Sequence, residues 1–238
     1  MTTVAEALSR AARQISVEAP SSWASATDDE HLEVKDFLDD TIADILDRYD
    51  LPSPVSASTT ITGDGSETYS LPAGFRRLQR DDHAVFETTT QRRPLTPVTN
   101  DGEWTHLKEI GSTGADRFYR IQGLPGSKTI SIFDEPASGV SIEVNYVTNN
   151  WLYEGSTAGD SFTSDDQSLI FDRRAVEAGI VYRWRERKGL DYMPALTNYE
   201  ALMARLSNDA RSRRVVEYGT RKVRSAFNIP VPDFIPAS

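Results

Sequence analysis

Apolar side chains recur at three- and four-residue steps near both ends of the chain and at two-residue steps through its middle. In residues 3–16 the positions Val4, Leu8, Ala11, Ala12 and Ile15 predict a short helix with one buried face, closed by Pro20. The polar run SSWASATDDE follows as a loop holding one Trp. A second helix is predicted over residues 29–49, where Leu38, Ile42, Ile45, Leu46 and Tyr49 keep the helical period. Its other face carries Asp39, Asp40, Asp44 and Asp47, and LPSP at 51–54 ends it, since proline cannot continue a helix.

From about residue 58 to 147 the period shortens to two. Candidate strands are 59–62, 67–71, 75–81, 83–89, 93–99, 117–122, 128–133 and 140–147. GDGS, LPAG, LPGS and EPASG separate them as turns. In VSIEVNYV the alternation places Val140, Ile142, Val144 and Tyr146 on one face. Many short alternating strands predict an antiparallel sandwich or small barrel.

Helical spacing returns after the polar loop EGSTAGDSFTSDDQ. Ser164 or Asp165 is the expected cap of a helix reaching about Lys188, with Gly189 as its stop. A last helix is expected from about Pro194 to Tyr218, with Leu196, Tyr199, Leu202, Met203 and Leu206 on its buried face. Short helices do not bury an apolar stripe alone, so early and late helices are expected to pair. The predicted class is α+β: a helical bundle from both ends of the chain, an inserted antiparallel β-sandwich or barrel, and an extended C-terminal tail. The expected divisions are 1–54 and 151–220 for the bundle, 55–150 for the β domain and 221–238 for the tail.

That tail, RKVRSAFNIPVPDFIPAS, cannot be helical through Pro230, Pro232 and Pro236, yet it carries Phe227, Ile229, Val231, Phe234 and Ile235. Chain ends are usually polar, so this one reads as a segment that lies extended along a partner.

Net charge is −10 over 238 residues, and it is unevenly placed: −15 for residues 1–170 and +6 for residues 171–224. An acidic whole argues against tight non-specific nucleic-acid binding, while the basic later helices suit an acidic partner, including the acidic part of another copy. There is no cysteine, which removes disulfides, thiolate metal sites and thiol nucleophiles together. No signal-peptide pattern and no membrane-spanning apolar run are expected.

Catalytic signatures do not emerge. His31, His83 and His106 fall in no metal spacing, and neither a GxSxG elbow nor a phosphate-binding loop is present. No cofactor is expected. The acids of the second helix read as a solvated face. Arg173, Arg174, Arg183 and Arg187 on one helix and Arg211, Arg213 and Arg214 on the next are candidates for phosphate contacts, salt bridges between subunits, or solvated positions between core aromatics. Together with Asp39, Asp40, Asp44 and Asp47 they are the candidate charges of a subunit interface or a channel.

The middle of the chain reads ETYSLPAGFRRLQRDDHAVF, then RRPLTPVTNDGEWTHLKEIG, then DRFYRIQGLPGSKTISIFDEPASGVSIEVNYV. Its Tyr-x-Leu-Pro-x-x-Phe turn, Pro-Leu strand, Glu-Trp segment, Tyr-Arg-Ile strand and closing Ile-x-Val-x-Tyr strand resemble the head-to-tail adaptor (connector) proteins of tailed bacteriophages. Tyr69, Leu71, Pro72 and Phe75 carry the closest match, and Gly74 stands where the family often has Asp. The flanking helix pairs and apolar tail resemble the family's order as well.

The resemblance implies a non-enzymatic virion protein of the head–tail neck, assembled in the host cytoplasm. It implies a ring of twelve copies beneath the portal protein that extends the channel for double-stranded DNA without reading its sequence. Below, the ring offers a platform to downstream tail or nozzle proteins; no membrane partner is implied. Phe227, Ile229, Pro230, Val231, Pro232, Phe234 and Ile235 would dock on the portal. Two other readings stay open: a carbohydrate- or protein-binding module with Trp104, Tyr119 and Trp151 as its platform, and a cell-wall hydrolase with unidentified acids.

Overall fold

A computed structural model describes residues 2–51, 54–80, 84–89, 92–111 and 117–212. The fold is mixed α+β, with five helices and several largely antiparallel sheets among these residues.

Helix α1 (Val4–Gln14) begins where the Thr3 hydroxyl accepts the Glu6 N–H, and it buries Val4, Leu8, Ala11 and Ala12. Helix α2 (Asp29–Arg48) buries Val34, Leu38, Ile42, Ile45 and Leu46. These faces share one apolar cluster with α4 (Arg173–Arg187) and α5 (Met193–Ser212), built around Val176, Ile180, Trp184, Tyr199 and Met203. Helix α4 packs against α1, α2 and α5. The loop Trp is part of this core: Trp23 is buried, donates to Ser9 Oγ at 2.8 Å and meets His31 edge-on.

Strands β1 (Ser56–Thr62), β3 (Phe75–Leu78), β4 (Val85–Glu87), β5 (Arg93–Pro94) and β9 (Ser141–Thr148) form one sheet. The long β9 is its axis, with β1 along one edge and β3 and β4 sharing the other. Strands β2 (Thr68–Ser70), β6 (Thr96–Pro97), β7 (Phe118–Gln122) and β8 (Thr129–Phe133) form a second sheet. Both sheets feed a second apolar cluster that includes Phe75, Val85, Tyr119, Ile130, Ile132, Ile142 and Val144. The alternation of β9 holds as expected through Ile142, Val144 and Tyr146, whereas Val147 turns to the helical cluster.

Several expectations change. The segment 93–99 splits into β5 and β6, and β6 runs parallel to β7, so the sheets are not wholly antiparallel. The Glu-Trp segment is a helix, α3 (Asp101–Ile110), capped by Asn100 and pinned by buried Trp104. Strand 83–89 contracts to β4, and His83 lies outside the described residues. A third small sheet of β10 (Leu152–Glu154), β11 (Thr157–Gly159) and β12 (Ser168–Leu169) sits where loop and helix were expected. Helix α4 therefore starts eight residues later than a Ser164 cap implies, with Asp172 as its cap, whose carboxylate accepts the Arg174 N–H.

The reason for the late start lies in contacts that already hold residues 163–165. Buried Gln167 accepts the N–H groups of Thr163 and Ser164, and Asp165 accepts the Ala24 N–H, so the proposed caps are already engaged. The chain start then pairs beside β12, with Val4 N–H donating to Gln167 and Leu169 N–H donating to Thr2. The Tyr-x-Leu-Pro-x-x-Phe turn closes through Phe75 N–H to Pro72 C=O at 2.9 Å. Gly74 is not required for this turn: its φ is ordinary and a side chain there would meet open space, so an Asp fits the same backbone.

Candidate assembly surfaces

Strand β3 carries Arg76 and Arg77, and Arg80 follows two residues beyond it, all three against the C-terminal end of α2. The last carbonyls of a helix lack intrahelical partners and carry its negative pole. Arg77 supplies the missing donors: it reaches Leu46 C=O at 3.0 Å, Tyr49 C=O at 2.8 Å and the Asp50 carboxylate at 2.6 Å. Arg76 grips both oxygens of Asp47, at 2.7 and 2.9 Å. Arg80 donates to the Asp47 carbonyl, and its own N–H to Asp50. The Arg76 guanidinium holds the Asp47 carboxyl below the usual carboxylate range. Helix and β block are thus joined by charged hydrogen bonds.

A second network ties α2 to α4 and α5. Asp44 accepts from Arg48 at 2.6 Å and from the Tyr199 hydroxyl at 2.7 Å, with Arg183 at 3.5 Å. Arg48 also reaches Glu200. Tyr199 is fully buried, and burial beside Asp44 pushes its phenol strongly up. Arg183 lies over the rings of Tyr182 and Tyr199 and donates to Thr41.

The candidate charges therefore have different fates. Asp44, Asp47 and Arg183 are engaged within the chain, so the acidic face of α2 is solvated only in part. Asp39 and Asp40 are exposed and lie in no ion pair among the described residues. Desolvation, then the neighbouring Asp36 and Asp40, push the Asp39 carboxyl up. Arg173 meets Glu177 at 2.9 Å and Glu6 at 3.5 Å, and Arg187 lies 3.9 Å from Glu33. Arg174 is exposed. Arg211 belongs to α5, its side chain outside what the structure describes; Arg213, Arg214 and the docking residues Phe227, Ile229, Pro230, Val231, Pro232, Phe234 and Ile235 lie outside the described residues.

Two grooves open on the helical part. One, about 410 Å³, runs between α2 and the β10–β11 region over Leu38, Ile42 and Trp151. The other, about 480 Å³, lies between α4 and α5 over Ala178, Val181 and Leu202, rimmed by Arg174, Arg185 and Arg205. Among the described residues no group of three or more metal-ligating side chains occurs, and no helix is long and apolar enough to cross a membrane.

A family model described as SU10 adaptor protein matches residues 2–224. The chain belongs to that family. Such a match across nearly the whole chain identifies it with the phage adaptors, structural proteins that join other head and tail components. No curated protein matches it. The adaptor's aromatic residues do not form a glycan platform: Trp104, Tyr119 and Trp151 are all buried, and the Trp151 indole donates to Asp160 C=O. Their identity as aromatics is legible in the sequence, but which way they face is not. The pattern of the sequence also passes over Arg76, Arg77 and Arg80, whose signal is a cationic strand, FRRLQR at 75–80, that could answer the acidic helix end DRYD at 47–50.

Proposed function

We propose that this adaptor acts in the virion neck, as a ring of twelve copies beneath the portal protein. The ring extends the DNA channel and offers a platform to downstream tail or nozzle proteins. It does no catalysis, and DNA passes through it without being read. Assembly takes place in the host cytoplasm. The helices of residues 1–54 and 151–220 serve as one bundle carrying an inserted β-sandwich of residues 55–150. The family match over residues 2–224 carries this reading. The arginine clamp on α2 supports it, because a ring subunit under load needs its two parts fixed to each other.

Residues 221–238 are the portal-docking tail. A proline-rich segment is already restricted when free, so it loses less entropy on docking. Each of Phe227, Ile229, Val231, Phe234 and Ile235 contributes about 1.5–3 kcal/mol if fully buried, before ordering costs. Repetition around a ring multiplies the hold.

Electron microscopy of the adaptor mixed with its own phage's portal protein tests this, using the full chain and a chain lacking residues 225–238. A ring of added density beneath the portal, seen only with the tail, is the expected result. Absence of added density with both chains overturns the adaptor ring, and a ring formed by both overturns the tail's role. Phe234→Ala is expected to weaken portal attachment about tenfold or more.

A further inference from the structure

We propose that the groove between α4 and α5 is the seat for helix α2 of a second copy of this chain, making a head-to-tail subunit contact. This rests on the ring reading and names the surfaces that would build it.

The groove has an apolar floor of Ala178, Val181 and Leu202 and a basic rim of Arg174, Arg185 and Arg205. Among the described residues none of these three arginines has a carboxylate partner, in contrast to Arg173, Arg183 and Lys188 on the same part of the chain. Glu177 also lines the groove, but its carboxylate is paired with Arg173 at 2.9 Å, so it offsets little of the rim's positive charge.

The complementary surface is on α2. Asp29, Asp36, Asp39 and Asp40 are exposed there, with no ion pair among the described residues, and Leu32 is 41% exposed beside them. An apolar knob inside an acidic face fits an apolar floor inside a basic rim. Crowding of Asp39 by Asp36 and Asp40 is the kind of repulsion that arriving arginines relieve.

Within one chain these surfaces do not meet. Gly179 and Arg183 of α4 face α2, while Arg174, Val181 and Arg185 face the groove, about half a turn away around the helix. On α2, Thr41 and Asp44 face α4 and α5, leaving the acidic face turned outward. Two complementary patches pointing different ways on one chain make a heterologous contact, the kind that builds a ring when the rotation between copies closes and a filament when it does not. The chain's own C-terminal segment is a poorer occupant. Residues 213–238 carry five Lys and Arg against two Asp and Glu, the same sign as the rim.

The test is complementation of a phage lacking its adaptor with four full-length chains: wild type, Arg185→Glu with Arg205→Glu, Asp36→Arg with Asp40→Arg, and all four changes together. Thermal melts confirm that each folds. Each two-site variant is expected to lower the yield of infectious particles about tenfold or more, and the four-site chain to restore most of it. Because the chain has no cysteine, Asp40→Cys with Arg205→Cys adds a direct readout: a ladder of disulfide-linked multimers in purified particles.

Full yield from either two-site variant overturns the proposal. So does loss that the four-site chain does not restore, which would assign the arginines to nucleic acid, the portal or the tail segment. Failure of the wild-type chain to restore particles defeats the adaptor reading itself, a different result from failure of the reversed pairs.

Discussion

Gly179 of α4 and Thr41 of α2 meet so closely that no side chain fits between the two helices. A methyl group on Gly179 would overlap the Thr41 methyl, stand 2.8 Å from its hydroxyl oxygen and lie 3.1 Å from the Tyr199 ring. Glycine inside a helix ordinarily costs about 1 kcal/mol relative to alanine, so close packing here outweighs helix propensity. Gly179→Ala is expected to destabilise the fold by about 1–3 kcal/mol, as overpacking does. Thr41→Ala in the same chain should recover part of the loss. Urea denaturation of the two single variants and the double variant measures the coupling.

Arg77 acts as a cap made from another part of the chain. Arg77→Ala leaves the Leu46 and Tyr49 carbonyls and the Asp50 carboxylate without its donors. A loss of about 2–3 kcal/mol is expected from the unsatisfied groups. Arg77→Lys should recover little, because one ammonium does not span three acceptors set by a planar fork. Thermal melts of both variants decide this; a lysine variant as stable as wild type would refute the capping role.

The Arg76–Asp47 pair predicts an acid-sensitive joint. The folded Asp47 carboxyl sits below its unfolded range. Its contribution is therefore complete above the ordinary Asp value of about 3.9 and declines as pH falls below it. Asp47 is more than half exposed, so solvent screening limits the effect to about 0.5–1 kcal/mol. Stability measured against pH should fall less steeply at the acid end in Asp47→Asn than in wild type.

Tyr199 predicts the opposite limb. Its folded phenol is raised by burial and by Asp44. Stability from keeping it neutral is complete below the ordinary Tyr value of about 10 and is lost as pH climbs above it. Tyr199→Phe should flatten that alkaline loss while costing about 1 kcal/mol at neutral pH for the missing hydrogen bond to Asp44. Alkaline unfolding curves of the two chains test both parts.

Legibility in the sequence followed the range of the interaction. Helices α1 and α2 and the facing of β9 were readable because a period of 3.6 or 2 is a local property. The start of α4 was not, since Ser164 and Asp165 are good caps, but Gln167 takes the Ser164 N–H and the Asp165 carboxylate is taken by the distant Ala24 N–H, contacts made only after folding. Helix α3 carries little apolar periodicity because Trp104 is its only buried residue. Of the acids on α2, Asp44 and Asp47 look the same in sequence as Asp39 and Asp40. The difference is set by Arg76 and Tyr199, residues distant along the chain.

The clamp at the end of α2 also decides how the molecule carries a mechanical load. A pull on the β block does not have to pass along the two backbone connections alone, one after α2 and one after β9. It is shared by guanidinium contacts acting side by side, which must break together under shear. Lengthening the connector around residue 54 by a residue or two should therefore leave the two parts aligned, whereas removing Arg76 and Arg77 would turn a stiff strut into a hinge.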